Sequence, residues 1–375
     1  MKTFYILDDP GRDKHFHLYL LSGLRKAGFE PLVVYFCGDP KSYLHQQGIP
    51  THSLHLTPRT YKNFNPWPVL KMASLIKERQ PAILHVQRHR PLVYTALALK
   101  ILRRKIPLLY TIRLSRLVRT PARRLAFSFI KKQVSYVIAV SRGAADDFRK
   151  RTGFPDERLI VIPNGIDPEP YQLSLPRAEA RERFSLPEGF LFGMVARFRK
   201  AKDHLGLLEA FARALPQMPE AFLVLAGDGP LEDTIRRRVR ELQLADRVIF
   251  TGRLSPQEVP YLLRTLDVFV HPTFREGMPA AVLEAMAAGL PIIATEAEGI
   301  VDIFETERSF GKLLPCGDRD ALASALSFFY SLPQERLREM GEEARKRLEE
   351  GFTREQMVAR NVDLYRRALH EGENP

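Results

Sequence analysis

Short apolar runs alternate with amphipathic stretches along almost the whole chain, and nothing else restricts the fold as much. TFYIL (3–7), PLVVYF (31–36), AILHV (82–86), PLLYTI (107–112), SYVIAV (135–140) and LIVIP (159–163) are continuously apolar, as strands covered on both faces are. Stretches of helical period lie between them, among them HFHLYLLSGLRKAG (15–28), with Gly28 as stop signal, VLKMASLIKERQ (69–80) and RGAADDFRK (142–150). The Pro- and His-rich stretch between Phe36 and Val69 reads as irregular. A second series begins at FLFGMVA (190–196) and runs through AFLVLAG (221–227), RVIFTG (247–252), DVFVHP (267–272), LPIIAT (290–295) and GKLLP (311–315). Between the two series, PNGIDPEPYQLSLPRAEAR (163–181) is rich in turn formers and reads as a linker. The chain closes in helices, the last near Arg354–Leu369. Such alternation predicts an α/β protein of two doubly wound, Rossmann-like domains facing a central cleft, with ligands beyond the carboxyl ends of the strands. The expected parts are a basic domain over 1–168, a second domain over 169–352, and a helix over 353–375 packing back on the first.

The 375 residues leave room for two or three domains. With 45% hydrophobic and 27% charged residues, disorder, collagen-like repeats and a disulfide mini-protein are excluded. The two cysteines, Cys37 and Cys316, suit a reducing cytoplasmic setting. The start, MKTFYILDDPGRDK, reaches Asp8 and Asp9 too early for a secretory leader. The longest apolar candidate, Ala280–Ala294, is interrupted by Glu284 and falls short of the roughly 20 residues that span a bilayer. The expectation is a chain that does not cross a membrane but can lie on one.

Charge is the second constraint. The net +13 is concentrated in residues 1–170, which hold 29 Lys+Arg against 12 Asp+Glu. Between Glu78 and Asp146 there are 15 basic residues and no acidic one. Such a field calls for a polyanion. In RRLAFSFIKK (123–132) apolar residues are interleaved with the cations, which suits the headgroup level of an anionic membrane surface, bound through the 79–145 region. No zinc spacing, RNP-type motif or helix-turn-helix is present, so nucleic acid is not the expected partner.

Several motifs of the second series each follow a strand. GMVA (193–196) is followed by Arg197 and then Lys202 at the start of a helical pattern, a pairing that suits a diphosphate. LAGDGP (225–230) lacks the third glycine of a dinucleotide fingerprint and reads as a tight turn. TGRL (251–254) offers backbone to a nucleobase. In HPTFREGMPAAVLEAMAAGLPIIAT (271–295), Glu276 belongs to the loop before a helix, Pro279 to its first turn, and Glu284 to its body. That helix aims free N–H groups at a phosphate, with one hydroxyl-binding carboxylate on either side. Glu284 stands in an apolar run, where a carboxylate needs partners.

VARFRKAKDHLGLLEAF (195–211), LAGDGPLEDTI (225–235), RVIFTGRL (247–254) and REGMPAAVLEAMAAGLPIIAT (275–295) together resemble retaining glycosyltransferases of family 4, with the two-domain fold called GT-B. AVSRGAADDF (139–148), VIPNGID (161–167) and the early loop at Gly11 add weaker matches. The resemblance implies that Arg197 and Lys202 hold the donor diphosphate and that Glu276, with the backbone N–H groups of Gly277 and Met278, holds the donor sugar. It implies further that Glu284 holds the ribose hydroxyls, that backbone near Arg253 and Leu254 faces the base, and that Gly11 lets the first loop approach donor phosphate and acceptor. Cations and a helix end then replace a divalent metal, and no cofactor is needed beyond the nucleotide-sugar substrate. The chain departs from the pattern at Arg12, beside a single glycine where relatives often have two, at Pro279, and at Arg113, where relatives often place histidine. Arg12 and Arg113 are therefore candidates for an anionic group of donor or acceptor.

The expected function is retaining transfer of a sugar from a nucleoside diphosphate to a hydroxyl of a lipid-linked or lipopolysaccharide glycan, peripheral to the inner face of the cell membrane. Two rivals share the sequence features: a nucleotide-sugar epimerase of the same architecture, and a non-catalytic polyanion-binding protein.

Overall fold

The computed structural model describes residues 1–12, 15–62, 65–115, 118–305 and 309–373, except for the side chains of residues 12, 15, 58, 62 and 373. Arg116 and the side chain of Arg12 therefore lie outside the described residues.

The chain forms two compact units. The first holds residues up to Asn164 and the helix Arg354–Glu373. Its strands are β1 (Lys2–Leu7), β2 (Glu30–Cys37), β3 (Thr51–Leu56), β4 (Ile83–Val86), β5 (Leu108–Ile112), β6 (Tyr136–Ala139) and β7 (Leu159–Val161). They form one parallel sheet in the order β3-β2-β1-β4-β5-β6-β7. Alternate residues of β1 enter two cores, as the period of two requires: Phe4 and Ile6 pack on one face, Tyr5 and Leu7 on the other. The face with Phe4 is covered by helices Trp67–Arg79, His89–Leu102, Pro121–Ile130 and Arg142–Thr152. The other is covered by helices His15–Lys26 and Arg354–Glu373. Tyr365 of the last helix is fully buried there and bonds His85 Nδ1 at 2.7 Å.

Gly165–Thr353 form the second unit. Its strands are β8 (Phe190–Val195), β9 (Ala221–Ala226), β10 (Val248–Gly252), β11 (Val268–His271), β12 (Ile292–Thr295) and β13 (Gly311–Leu314). They form a parallel sheet in the order β10-β9-β8-β11-β12-β13.

Two stretches differ from the sequence reading. The region read as irregular contains β3, THSLHL, whose polar residues mask its strand character; it is an edge strand beside β2. The region read as a linker carries the turn Glu169–Tyr171 and the helix Arg177–Arg183. That helix is fixed by Arg177 and Arg181, which both reach the buried carboxylate of Asp267 and the carbonyl of Thr265.

In both sheets the chain starts at a central strand, adds strands to one side, then crosses back to the other. The reversal falls between β1 and β4 in the first unit and between β8 and β11 in the second. Open parallel sheets bind ligands at such a reversal, beyond the carboxyl ends of the strands.

Candidate functional site

In the second unit, the two segments that leave the sheet at its reversal carry the candidate cations and the first candidate carboxylate. After β8, Arg197 is exposed. Phe198 then turns back against the 227–229 loop, its N–H donating to the carbonyl of Asp228 at 2.7 Å. Gly227 and Gly229 hold φ of 142° and 153°, and a Cβ on them would stand 2.1 Å from the Ala196 carbonyl and 2.5 Å from that of Phe198. The sequence reading treated this Gly-Asp-Gly as an ordinary tight turn. Its glycines in fact let two loops touch, and that contact sets the course of the Arg197 segment.

A short turn, Lys200–Lys202, follows, and Asp203 caps the helix His204–Ala214. On the neighbouring strand, β11 ends at His271 and the chain enters the loop to Pro279. Thr273 ties the two segments together. Its hydroxyl donates to the Ala201 carbonyl at 2.7 Å, and the Phe274 N–H donates to the same carbonyl at 2.9 Å. The Thr295 hydroxyl brackets Thr273 from β12, accepting from its N–H and donating to its carbonyl. This lattice places the Lys202 ammonium against the Glu276 carboxylate as an ion pair and 3.3 Å from His271 Nε2.

Electrostatics follow from that placement. Burial by itself would raise the Glu276 carboxyl, but the His271 hydrogen bond and the Lys202 charge outweigh it and bring the pKa down to about 2. Burial, then the Lys202 charge, lowers the His271 pKa, so this imidazole is neutral near pH 7. Glu276 is therefore the anionic partner of the pair near pH 7.

Gly277 and Met278 are buried in the same loop. Pro279 stands just before the helix Ala280–Ala287 rather than inside its first turn, as its ψ of 111° shows, so the free N–H groups begin at Ala280. Glu284 lies in the body of that helix, and the Tyr171 hydroxyl bonds its carboxyl. Burial dominates there and pushes Glu284 up to about 7. Sequence reasoning missed Tyr171, which sits in a Pro-rich stretch without period.

It also missed Gly299, at the start of the helix Glu298–Phe304. The Gly299 N–H donates to the Glu276 carbonyl at 3.1 Å, and a Cβ there would stand 1.8 Å from the Gly277 oxygen. Exposed Arg253 and half-buried Leu254 follow β10, at the same carboxyl edge but two strands from β8.

The remaining candidates belong to the first unit. Gly11 sits in the turn Pro10–Arg12 without a left-handed φ, so it contributes a missing Cβ rather than special backbone freedom. Arg113 leaves β5 and donates to Asn164 Oδ1 at 2.9 Å and Gln87 Oε1 at 2.7 Å. Its guanidinium also lies 3.9 Å from the centre of the Phe16 ring. Among the described residues these partners are all neutral, and burial lowers the Arg113 pKa to about 10. At the carboxyl end of β5 the chain thus keeps a cation with no counter-ion among the described residues.

Two parallel α/β sheets, with their reversals at β1/β4 and β8/β11, match the architecture of solved GT-B structures. Sequence comparison agrees. Residues 176–347 match the model for glycosyl transferases group 1, and residues 16–170 that for Glycosyltransferase Family 4. The chain belongs to glycosyltransferase family 4 and has the GT-B fold. It is 27% identical over 341 residues to the N-acetyl-alpha-D-glucosaminyl L-malate synthase of Bacillus anthracis, covering 89% of this chain and 86% of that one. It is 29% identical to the Escherichia coli UDP-Gal:alpha-D-GlcNAc-diphosphoundecaprenol alpha-1,3-galactosyltransferase, over 56% of this chain and 54% of that one. With six further curated relatives the match spans 37% to 56% of their length. Among solved structures, HepE of Anabaena in complex with UDP superimposes with a TM-score of 0.83 over 97% of this chain and 99% of that one, at 22% identity.

Proposed function

We propose that the protein moves a sugar from a nucleoside diphosphate to a hydroxyl of a lipid-linked glycan, with retention of configuration, at the cytoplasmic face of a membrane. The observation that carries this is the Lys202–Glu276 pair held by Thr273 at the sheet reversal, with Glu284 in the adjoining helix. Support for the donor class comes from HepE, solved with UDP. Support for a lipid-linked acceptor comes from the galactosyltransferase that acts on a diphosphoundecaprenol-linked sugar. No helix among the described residues is long and apolar enough to cross a membrane.

In this reading the donor phosphate replaces Glu276 beside the Lys202 ammonium. Arg197 and the N–H groups of Gly277 and Met278 add to the charge stabilisation, and no metal is needed. Glu276, released from its pair, accepts hydroxyl hydrogens from the sugar. Glu284 accepts those of the ribose, and backbone at Arg253 and Leu254 faces the base. Gly11 gives the acceptor loop room, and Arg12 and Arg113 offer charge to an anionic group on the acceptor. The bond from the sugar's anomeric carbon to the phosphate oxygen breaks, with its electrons going to phosphate. The acceptor oxygen bonds that carbon on the same face, and its proton passes to a phosphate oxygen. No side-chain base is required, and stabilisation of the leaving phosphate supplies most of the rate.

The test is incubation with nucleoside-diphosphate sugars and a polyprenyl-diphosphate sugar acceptor, with the product anomer read by NMR. An α-linked product from an α-linked donor is expected. An inverted product contradicts retention, and an altered free sugar without acceptor contradicts transfer.

A second expectation concerns protons. Glu284 is held near 7, and ribose hydroxyls favour its ionised form, so donor binding at pH 7 releases protons. Calorimetry in buffers of different ionisation enthalpy should show this, and Glu284→Gln should abolish it while weakening binding about tenfold. Because the native pKa lies above the ordinary carboxylate value, the protonated form is what folding favours. The stability that Glu284 contributes is fully present below about 4.5 and is lost as pH rises through about 7. Melting curves of the Gln variant should lack that component.

A further inference from the structure

A cavity of about 730 Å³ lies apart from the proposed transfer site. It lies in the first unit, where Pro107, Ser135 and Tyr136 mark the amino ends of β5 and β6. The candidate Arg113 leaves β5 at its carboxyl end, about 15 Å away along the strand. Six cations line the cavity: Lys100, Arg103, Arg104, Lys105, Lys132 and Arg158. Its single carboxylate, Glu371, is already engaged by the Tyr136 hydroxyl and by Arg367 Nε at 3.0 Å. Arg158 is fixed by backbone carbonyls of Ser135 and Val134. Arg103, Arg104, Lys105 and Lys132 have no ion-pair partner among the described residues. A cavity of this size with so large an excess of positive charge fits a dianion, and phosphate monoesters carry that charge near pH 7.

An apolar row adjoins the cavity. Leu125 and Phe129 are one turn apart on the helix Pro121–Ile130 and are 75% and 65% exposed, and Ile101 is 60% exposed at the end of the neighbouring helix. Lys100 joins the two features, because it lines the cavity and lies 3.8 Å over the Phe129 ring. Both helices start after the carboxyl end of a strand and run back towards the amino ends, where the cavity lies. Exposed apolar side chains beside a cationic cavity suit a boundary where headgroup phosphates and acyl chains are both at hand.

We propose that this cavity binds the phosphate headgroup of an anionic lipid while Leu125, Phe129 and Ile101 enter the acyl boundary, docking the first unit on a bilayer independently of donor or acceptor. This adds a defined lipid site to the transferase reading and survives the failure of that reading.

The test is sedimentation of the full chain with phosphatidylcholine vesicles, with and without phosphatidic acid, at physiological ionic strength. Wild type should pellet only with phosphatidic acid. Arg104→Ala with Lys105→Ala should weaken vesicle affinity about tenfold, and Leu125→Ser with Phe129→Ser by a similar factor. Arg25→Ala with Lys26→Ala makes the same charge change on the exposed part of a helix covering the opposite sheet face, and should cost less than about twofold. All three double variants should keep the thermal shift given by a nucleotide sugar, which separates this site from the donor site. Equal loss in the two cation pairs would show a diffuse basic face and overturn the proposal. So would absence of vesicle binding, displacement by an equal concentration of inorganic phosphate, or tighter binding to RNA with no dependence on Arg104 and Lys105.

Discussion

Lys202→Ala should lower turnover at least about a hundredfold, equivalent to about 2.7 kcal/mol of lost transition-state stabilisation. The ammonium stands at the sheet reversal beside Glu276 and His271, on a turn that Thr273 fixes through the Ala201 carbonyl. Removing it takes away the charge nearest the proposed leaving phosphate and leaves Glu276 partly buried without its ion pair. The Glu276 carboxyl should then titrate higher, since its low value depends on Lys202 as well as on His271. Lys202→Arg keeps a charge but changes its reach, and should recover part of the loss. Steady-state rates, with circular dichroism to confirm folding, decide the matter. Near-normal turnover in Lys202→Ala contradicts the assignment of this site.

Gly299→Ala should be as damaging, although Gly299 itself touches no proposed substrate atom. The added methyl would overlap the Gly277 oxygen at 1.8 Å and the Met278 nitrogen at 2.9 Å, and backbone cannot yield as a flexible side chain does. The loop that carries Glu276, Gly277 and Met278 must therefore move. Displacements near 1 Å cost about a hundredfold where geometry controls the rate, and overpacking costs about 1–3 kcal/mol of stability. Loss of kcat/KM by that factor, with a melting temperature lowered by several degrees, is the expected pair of results. Gly351→Ala is the control. A Cβ there meets nothing within 4 Å, and the residue ends a helix, so activity should be unchanged and stability equal or slightly higher. Equal activity in the two variants contradicts the role given to Gly299.

What was legible in the sequence follows from what is local. Glu284 stood out because a carboxylate inside AAVLEAMAA needs a reason, and the structure shows it half-buried and hydrogen-bonded by Tyr171. The strands bordering the site were legible because they are covered on both faces and so apolar at every position. Tyr171 was not, because a Pro-rich stretch has no period from which to read a face. Gly299 was not, because its reason for lacking a side chain is a carbonyl 22 residues earlier in the chain. The Gly227 and Gly229 pair was read as a turn because the loop it touches, Ala196–Phe198, is likewise distant in sequence. β3 was hidden by His52 and His55 on an edge that tolerates polar residues. The Lys202–Glu276 pairing was beyond motif reading as well: the motifs assign both residues to substrate, whereas here each is the other's partner.

The central claim is that a nucleoside diphosphate binds where Arg197, Lys202 and Glu276 leave the second sheet, with its ribose on Glu284. Thermal unfolding of wild type and Glu284→Ala across UDP, GDP, dTDP and ADP sugars tests it most directly. At about a hundred times the dissociation constant, a ligand adds about 2.7 kcal/mol to native stability, enough to raise the melting temperature by about 5 °C. One of the four bases should produce such a rise in wild type, with little or none in Glu284→Ala. No rise with any of them, or a rise that persists undiminished in the variant, contradicts the claim.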